Sequence, residues 1–201
     1  MKTIILGTAH LKSTPGKCSP DKKFFEYKYS REIVSDIKNI LEGYGYKVFV
    51  DIPENDLKLT QNQELLKRVN FVNDICKIYK DCIYVSIHVN AASSDGKWHE
   101  ATGWEAYTTK GKTKSDKLAE CLYKSAEKNL INKKIRKDLV DGDSDKESNF
   151  YVLKHTNCPA VLTENFFQDN KDDVEYLNSD LGFHQIVRTH VEGILNYIKD
   201  N

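Results

Sequence analysis

Ile83-Tyr84-Val85-Ser86-Ile87, closed by His88, is an apolar run broken by a single serine. A short run of this kind, without polar alternation, reads as a strand buried on both faces, the type found in parallel sheets. Two further runs have the same character. Thr3-Ile4-Ile5-Leu6 leads to His10, and Ala160-Val161-Leu162-Thr163 is closed by Glu164. Lys47-Val48-Phe49-Val50 and Gly103-Trp104-Glu105-Ala106-Tyr107 read as two more strands.

Amphipathic helices fall between them. One runs from about Phe25 to Leu41, with Tyr29, Ile33, Ile37, Ile40 and Leu41 on one face, and Gly43 and Gly45 end it. Thr60 caps a second, whose stripe is Leu65, Leu66, Val69, Val72, Ile75 and Cys76. Ser115 to Leu130, Lys171–Asn178 and roughly Gly182–Lys199 supply the rest. Strands alternating with helices specify an α/β fold: a single domain over residues 1–201, with a twisted, mostly parallel sheet covered by helices on both faces.

At 201 residues, 39% of them hydrophobic and 30% charged, the chain can bury one sizeable core. Thirty basic side chains balance thirty acidic ones, so nothing in the charge calls for nucleic acid or an anionic membrane. Five cysteines, odd in number and without a C-x-x-C pair, point to reduced thiols rather than a disulfide framework. No segment approaches the length of a membrane span. The apolar run before His10 is shorter than the core of a signal peptide. The expectation is synthesis in the cytoplasm without a signal peptide, and action at the periplasm or cell wall after release.

His10, His88 and Glu164 each follow or close a strand of one parallel sheet, and a long loop with Pro15, Gly16 and Pro20 brings Glu26 over the same edge. In open α/β sheets, sites form outside the carboxyl ends of the strands. Two imidazoles and one carboxylate are the ligand set of a catalytic zinc ion with an open fourth position. A second carboxylate at that edge would serve as general base. Taken singly, each residue has an ordinary explanation: Glu26 a charge at a helix start, Glu164 a helix cap, and either histidine a hydrogen-bonded loop residue. Their convergence is what points to a zinc hydrolase. His99, His155, His184 and His190 read as surface or packing residues. The Asp141, Asp143, Asp145 run lacks the turn glycine and closing glutamate of a calcium loop and reads as solvated. A G-x-S-x-G elbow and a glycine-rich phosphate loop are missing.

The chain resembles the zinc-dependent N-acetylmuramoyl-L-alanine amidases, the amidase-3 family of cell-wall hydrolases. The resemblance rests on Ile4–His10 with Thr14-Pro15-Gly16-Lys17, Glu26-Tyr27 with Arg31, and Leu65–Asn73. It continues through Ser86-Ile87-His88-Val89-Asn90-Ala91, Gly103–Tyr107, Val152-Leu153 and Pro159-Ala160-Val161-Leu162-Thr163-Glu164-Asn165. By position, it implies His10, Glu26 and His88 as ligands of one zinc ion per chain, and Glu164 as the catalytic carboxylate. Asn90 and Asn165 would orient substrate amides, and Trp98 and Trp104 would stack on sugar or peptide or else pack. The family usually has glycine on both sides of its first ligand histidine, where this chain has Ala9 and Leu11.

The resemblance implies hydrolysis of the amide between N-acetylmuramic acid and L-alanine of the peptidoglycan stem. The partner is then peptidoglycan or a muropeptide, with no nucleic acid and no membrane insertion; the sequence does not fix the oligomeric state, and a monomer is favoured. A zinc carboxypeptidase or endopeptidase cutting within the stem is the nearest alternative. A non-catalytic peptidoglycan-binding module would not need Glu164, and a thiol peptidase would use Cys158 or Cys18. No cell-wall-binding repeat is seen.

Overall fold

The computed structural model describes residues 2–52, 57–140 and 142–201. The chain runs β1 (Thr3–Thr8), α1 (Glu26–Gly43), β2 (Lys47–Val50), α2 (Gln61–Tyr79), β3 (Cys82–Asn90), β4 (Trp104–Thr108), α3 (Lys114–Asn129), β5 (Lys146–Glu147), α4 (Tyr151–His155), β6 (Ala160–Phe167), α5 (Lys171–Asn178) and α6 (Asp180–Asp200). The strands form one sheet in the order β2-β1-β3-β6-β4-β5. β2, β1, β3 and β6 run parallel to one another, while β4 runs antiparallel to β6.

Strand periodicity sorts the core into two layers. Ile83, Val85, Ile87 and Val89 of β3 turn toward α1, α3, α5 and α6. Cys82 and Tyr84 turn the other way, toward α2 and α4. Ile4, Ile5 and Leu6 have no exposed surface, as expected for a strand covered on both faces. α1 buries Tyr29, Ile33, Ile37 and Leu41, and α2 opens on a capping box in which the Thr60 hydroxyl and the Gln63 amide each bond the other's backbone N–H. Ile40 and Leu66, both assigned to buried stripes from periodicity, are exposed: each lies at the edge of a stripe narrower than the pattern implied. No described helix is long and apolar enough to cross a membrane.

Several boundaries differ from the sequence reading. β3 continues past His88 to Asn90, and β6 past Glu164 to Phe167. A polar residue ends an apolar run but not a hydrogen-bonded ladder, and Val89, Asn165, Phe166 and Phe167 stay buried beyond it. Lys146–Glu147, directly after the acidic run read as solvated, pairs with β4. Nor is Asp145 solvated. It is buried and accepts the Thr108 hydroxyl at 2.6 Å, and burial pushes its carboxyl up to about 7. Asp141 of the same run lies outside the described residues.

Candidate functional site

His10 follows β1 and takes a left-handed backbone, φ 36°, which costs a non-glycine residue on the order of 1–3 kcal/mol. With Ala9 and Leu11 beside it rather than glycine, surrounding bonds must hold it there. Arg31 does so with Nη1 on the Ala9 carbonyl at 2.9 Å and Nη2 on the His10 carbonyl at 3.0 Å. The Ser30 hydroxyl accepts the Ala9 N–H at 2.8 Å and donates to the Ile87 carbonyl at 2.6 Å, tying this loop to β3. Ala9 and Leu11 are themselves buried, so they contribute packing in place of backbone freedom.

Glu26 is the first residue of α1, where the helix dipole favours a carboxylate. Its side chain is buried, and Oε1 accepts the Val89 N–H at 3.1 Å and lies 3.0 Å from His88 Nδ1. Oε2 lies 3.5 Å from His10 Nε2 and has no hydrogen-bond partner. The His10 and His88 rings meet edge to face, 5.0 Å apart. One ligand atom from each of His10, Glu26 and His88 falls within 4.8 Å of the others, and among the described residues this is the one such cluster.

Burial, aided by the neighbouring cations Arg68 and Lys17, lowers His88 to about 3. Burial also lowers His10 to about 3, against the pull of Glu26. Both imidazoles are thus neutral near pH 7, with lone pairs free to ligate. A buried carboxylate oxygen without a partner, flanked by two neutral imidazoles, fits a zinc ion, whose nitrogen and oxygen ligands sit about 2 Å from the metal. The residues present suit the group.

The carboxylate expected to act as general base comes from the sheet itself. Glu164 on β6 pairs in register with His88 on β3 and with Glu105 on β4. Paired residues share a face, so His88, Glu164 and Glu105 form a lateral row on the α2 side. Just beyond Glu164 the register with β3 slips by one residue, and Phe166 adopts φ 64°. Such a bulge lets a strand re-aim its side chains, and bulges recur beside active sites. Glu164 Oε2 is buried without a partner. Its carboxyl is raised well above the ordinary range, first by burial and then by repulsion from Glu26 and Glu105, with Lys17 opposing.

Glu105 was not singled out by sequence reasoning. It is buried, and each oxygen takes two donors: Oε1 accepts Asn90 Nδ2 at 2.7 Å and the Tyr107 hydroxyl at 2.8 Å. Oε2 accepts Arg136 Nε and Lys146 Nζ, both at 2.6 Å. Burial alone would raise this carboxyl, but the bonds from Lys146, Tyr107 and Arg136 hold it below its ordinary value.

The two asparagines sit differently from the substrate-orienting role expected. Asn165 is fully buried; its oxygen accepts Trp104 Nε1 at 2.8 Å, and its Nδ2 donates to the His88 carbonyl at 2.9 Å. It therefore sets the backbone of His88 and is closed to substrate. Asn90 spends its Nδ2 on Glu105 and its oxygen on the Ala91 N–H. Trp104 packs in the core, while Trp98 is half-buried with Lys171 over its ring. His190 is buried between the Thr163 hydroxyl and the Ile186 carbonyl, and His99 lies beside Asp95. Cys158 and Cys76 pack with Cys82 around the second core layer, in contact with α2 and the start of β6.

The profile of the N-acetylmuramoyl-L-alanine amidase family matches residues 4–196. The chain is 32% identical over 170 residues to an endolysin of Bacillus phage SPP1, covering 81% of this chain and 54% of that protein. It is 29% identical over 200 residues to a probable cell wall amidase, LytH, of Staphylococcus saprophyticus, covering 99% of this chain and 59% of that one. The chain thus spans a little over half the length of these relatives. Its fold is similar to the crystal structure of an N-acetylmuramoyl-L-alanine amidase from Clostridium difficile 630, with TM-score 0.82 at 23% identity and coverage of 99% and 97% of the two chains.

Proposed function

The chain belongs to the N-acetylmuramoyl-L-alanine amidase family, and from that membership we propose that it hydrolyses the amide joining the lactyl carbonyl of N-acetylmuramic acid to L-alanine of the peptidoglycan stem. His10, Glu26 and His88 would hold one zinc ion. When bound, zinc supplies a Lewis acid for the scissile carbonyl and a water of lowered pKa. The chain's own residues do the rest. The two depressed imidazoles stay neutral as ligands. Glu164 takes the proton of the attacking water and returns it to the departing amine nitrogen. Asn165 and the bulge beside it hold His88 and Glu164 in one row.

The observation that supports this reading is the pair of buried, partnerless oxygens, Glu26 Oε2 and Glu164 Oε2, on two carboxylates that feel each other's charge. Native structures rarely leave such atoms unmatched unless a ligand, an ion or the chemistry itself supplies the partner. Mass spectrometry of muropeptides before and after digestion tests it. The expected products are free stem peptides and glycan with intact lactyl groups. Shortened peptides still attached to muramic acid would instead mark an enzyme cutting within the stem.

A further inference from the structure

The row that begins at His88 and passes through Glu164 ends at Glu105, where two cations meet one carboxylate. Neutralising a buried carboxylate takes one cation. Arg136 and Lys146 both donate to Glu105 Oε2, while Asn90 and Tyr107 already saturate Oε1, so the cluster carries one positive charge more than it uses. Glu164, the next carboxylate along the row, interacts with Glu26, and a dication held by His10, Glu26 and His88 would balance that pair rather than leave it to Arg136 and Lys146.

Arg136 is spent only at Nε. Among the described residues its two terminal nitrogens, the pair suited to a bidentate carboxylate, have no hydrogen-bond partner. Its side chain is 29% exposed and that of Lys146 24%, so both reach solvent beside a fully covered anchor. The guanidinium also lies over the Phe167 ring, 5.2 Å from its centre. Gly103 leaves space for its stem, since a Cβ there would stand 3.0 Å from Arg136 Cγ and Cδ. The arginine is therefore held in place before any ligand arrives, which lowers the cost of binding.

We propose that Arg136 and Lys146, anchored on Glu105, form a carboxylate-binding subsite, and that the preferred substrate carries a free carboxylate on the peptide side of the scissile amide. This rests on the amidase reading above. The direction follows from the chemistry. Glu164 must reach the leaving amine, so the departing peptide lies on the Glu164 side of the ligand cluster, and the next position along the row is Glu105 with its two cations.

The test uses two muramoyl-L-alanyl peptides that differ only in whether the residue after L-alanine bears a carboxylate or its primary amide. The zinc-loaded protein should cleave the carboxylate form with kcat/KM roughly 10- to 100-fold higher, mostly through KM, as expected for one charge-assisted bidentate pair. Arg136→Gln should narrow that preference by slowing the carboxylate substrate more than the amide substrate, and Arg136→Lys should restore part of it. Equal wild-type rates on both substrates would overturn the proposal whether or not a variant folds. So would an Arg136→Gln loss shared equally by both substrates, which marks a structural role. Binding of the two alanyl peptides alone, followed by NMR, separates the two readings. A carboxylate preference in binding without turnover of either muramoyl substrate would bring down the amidase assignment and keep the subsite.

Discussion

Two clusters of buried ionisable groups lie side by side at the carboxyl edge of this sheet, and only one is finished. In the first, Asp51 Oδ1 accepts Arg68 Nη1 at 2.7 Å together with the Thr8 and Ile52 N–H groups, and Oδ2 accepts the Tyr84 hydroxyl at 2.8 Å. Arg68 turns its Nε and Nη2 to Glu64 Oε1. Burial alone would lower the Arg68 pKa, but Asp51, Tyr84 and Glu64 reverse the sign and raise it. Gly7 lies directly beneath, where a Cβ would collide with the Tyr84 ring and hydroxyl. Charge and hydrogen bonding close on themselves. In the second cluster, His10, Glu26, His88 and Glu164 are gathered at the same edge, yet two carboxylate oxygens go without a partner. The closed cluster has the bonding of scaffold, and the open one is the proposed site. Completeness of bonding, not the mere presence of buried charge, separates them.

Breaking the open cluster should cost chemistry and spare the fold. Glu164→Gln is expected to lose about 10²- to 10⁴-fold in kcat, the range for a lost general base, with zinc content and thermal midpoint retained. Activity near the wild-type level would reduce Glu164 to a structural carboxylate.

Breaking the closed cluster should do the reverse. Arg68→Met leaves Asp51 buried without its cation and should cost about 3–5 kcal/mol in urea unfolding of the metal-free protein. A loss well under about 1 kcal/mol would mean the network is as loosely held as a surface pair.

Arg31 supports the open cluster from outside, because it grips the carbonyls of Ala9 and His10. Arg31→Leu should weaken zinc binding by about 10- to 100-fold, the usual effect of losing a group that orients a ligand, read by chelator competition. Unchanged affinity would mean His10 holds its left-handed backbone without help.

A smaller effect belongs to His190, lowered by burial to about 4. Its folded pKa lies below the unfolded value near 6.5, so the unfolded chain takes up the proton first and stability falls as pH drops from about 6.5 toward 4. Between pH 7 and 5.5 the zinc-loaded wild type should lose about 1 kcal/mol more than His190→Gln. Parallel pH profiles would contradict a neutral buried His190.

Much of this was legible in the sequence, for a definite reason. The apolar runs before His10, His88 and Glu164 specify parallel strands, and parallel strands place whatever follows them on one edge. The helix start at Glu26 is a local feature as well. The bonding that separates the two clusters was not legible. Arg136 and Lys146 reach Glu105 from distant segments, and Arg68 meets Asp51 across the gap between α2 and β2, contacts that no local spacing encodes. Asn165 misled for the opposite reason. Its place beside Glu164 made it look like a substrate contact, but successive strand residues face opposite ways, and it turns inward to Trp104.

The central claim is that the open cluster is completed by a metal ion. Elemental analysis of purified wild-type protein and His88→Ala measures this directly. The account predicts about one zinc per chain in the wild type, the count for a single three-ligand site, and close to none in His88→Ala. Full zinc occupancy in His88→Ala, or a wild type that takes up none from zinc-containing buffer, would contradict it.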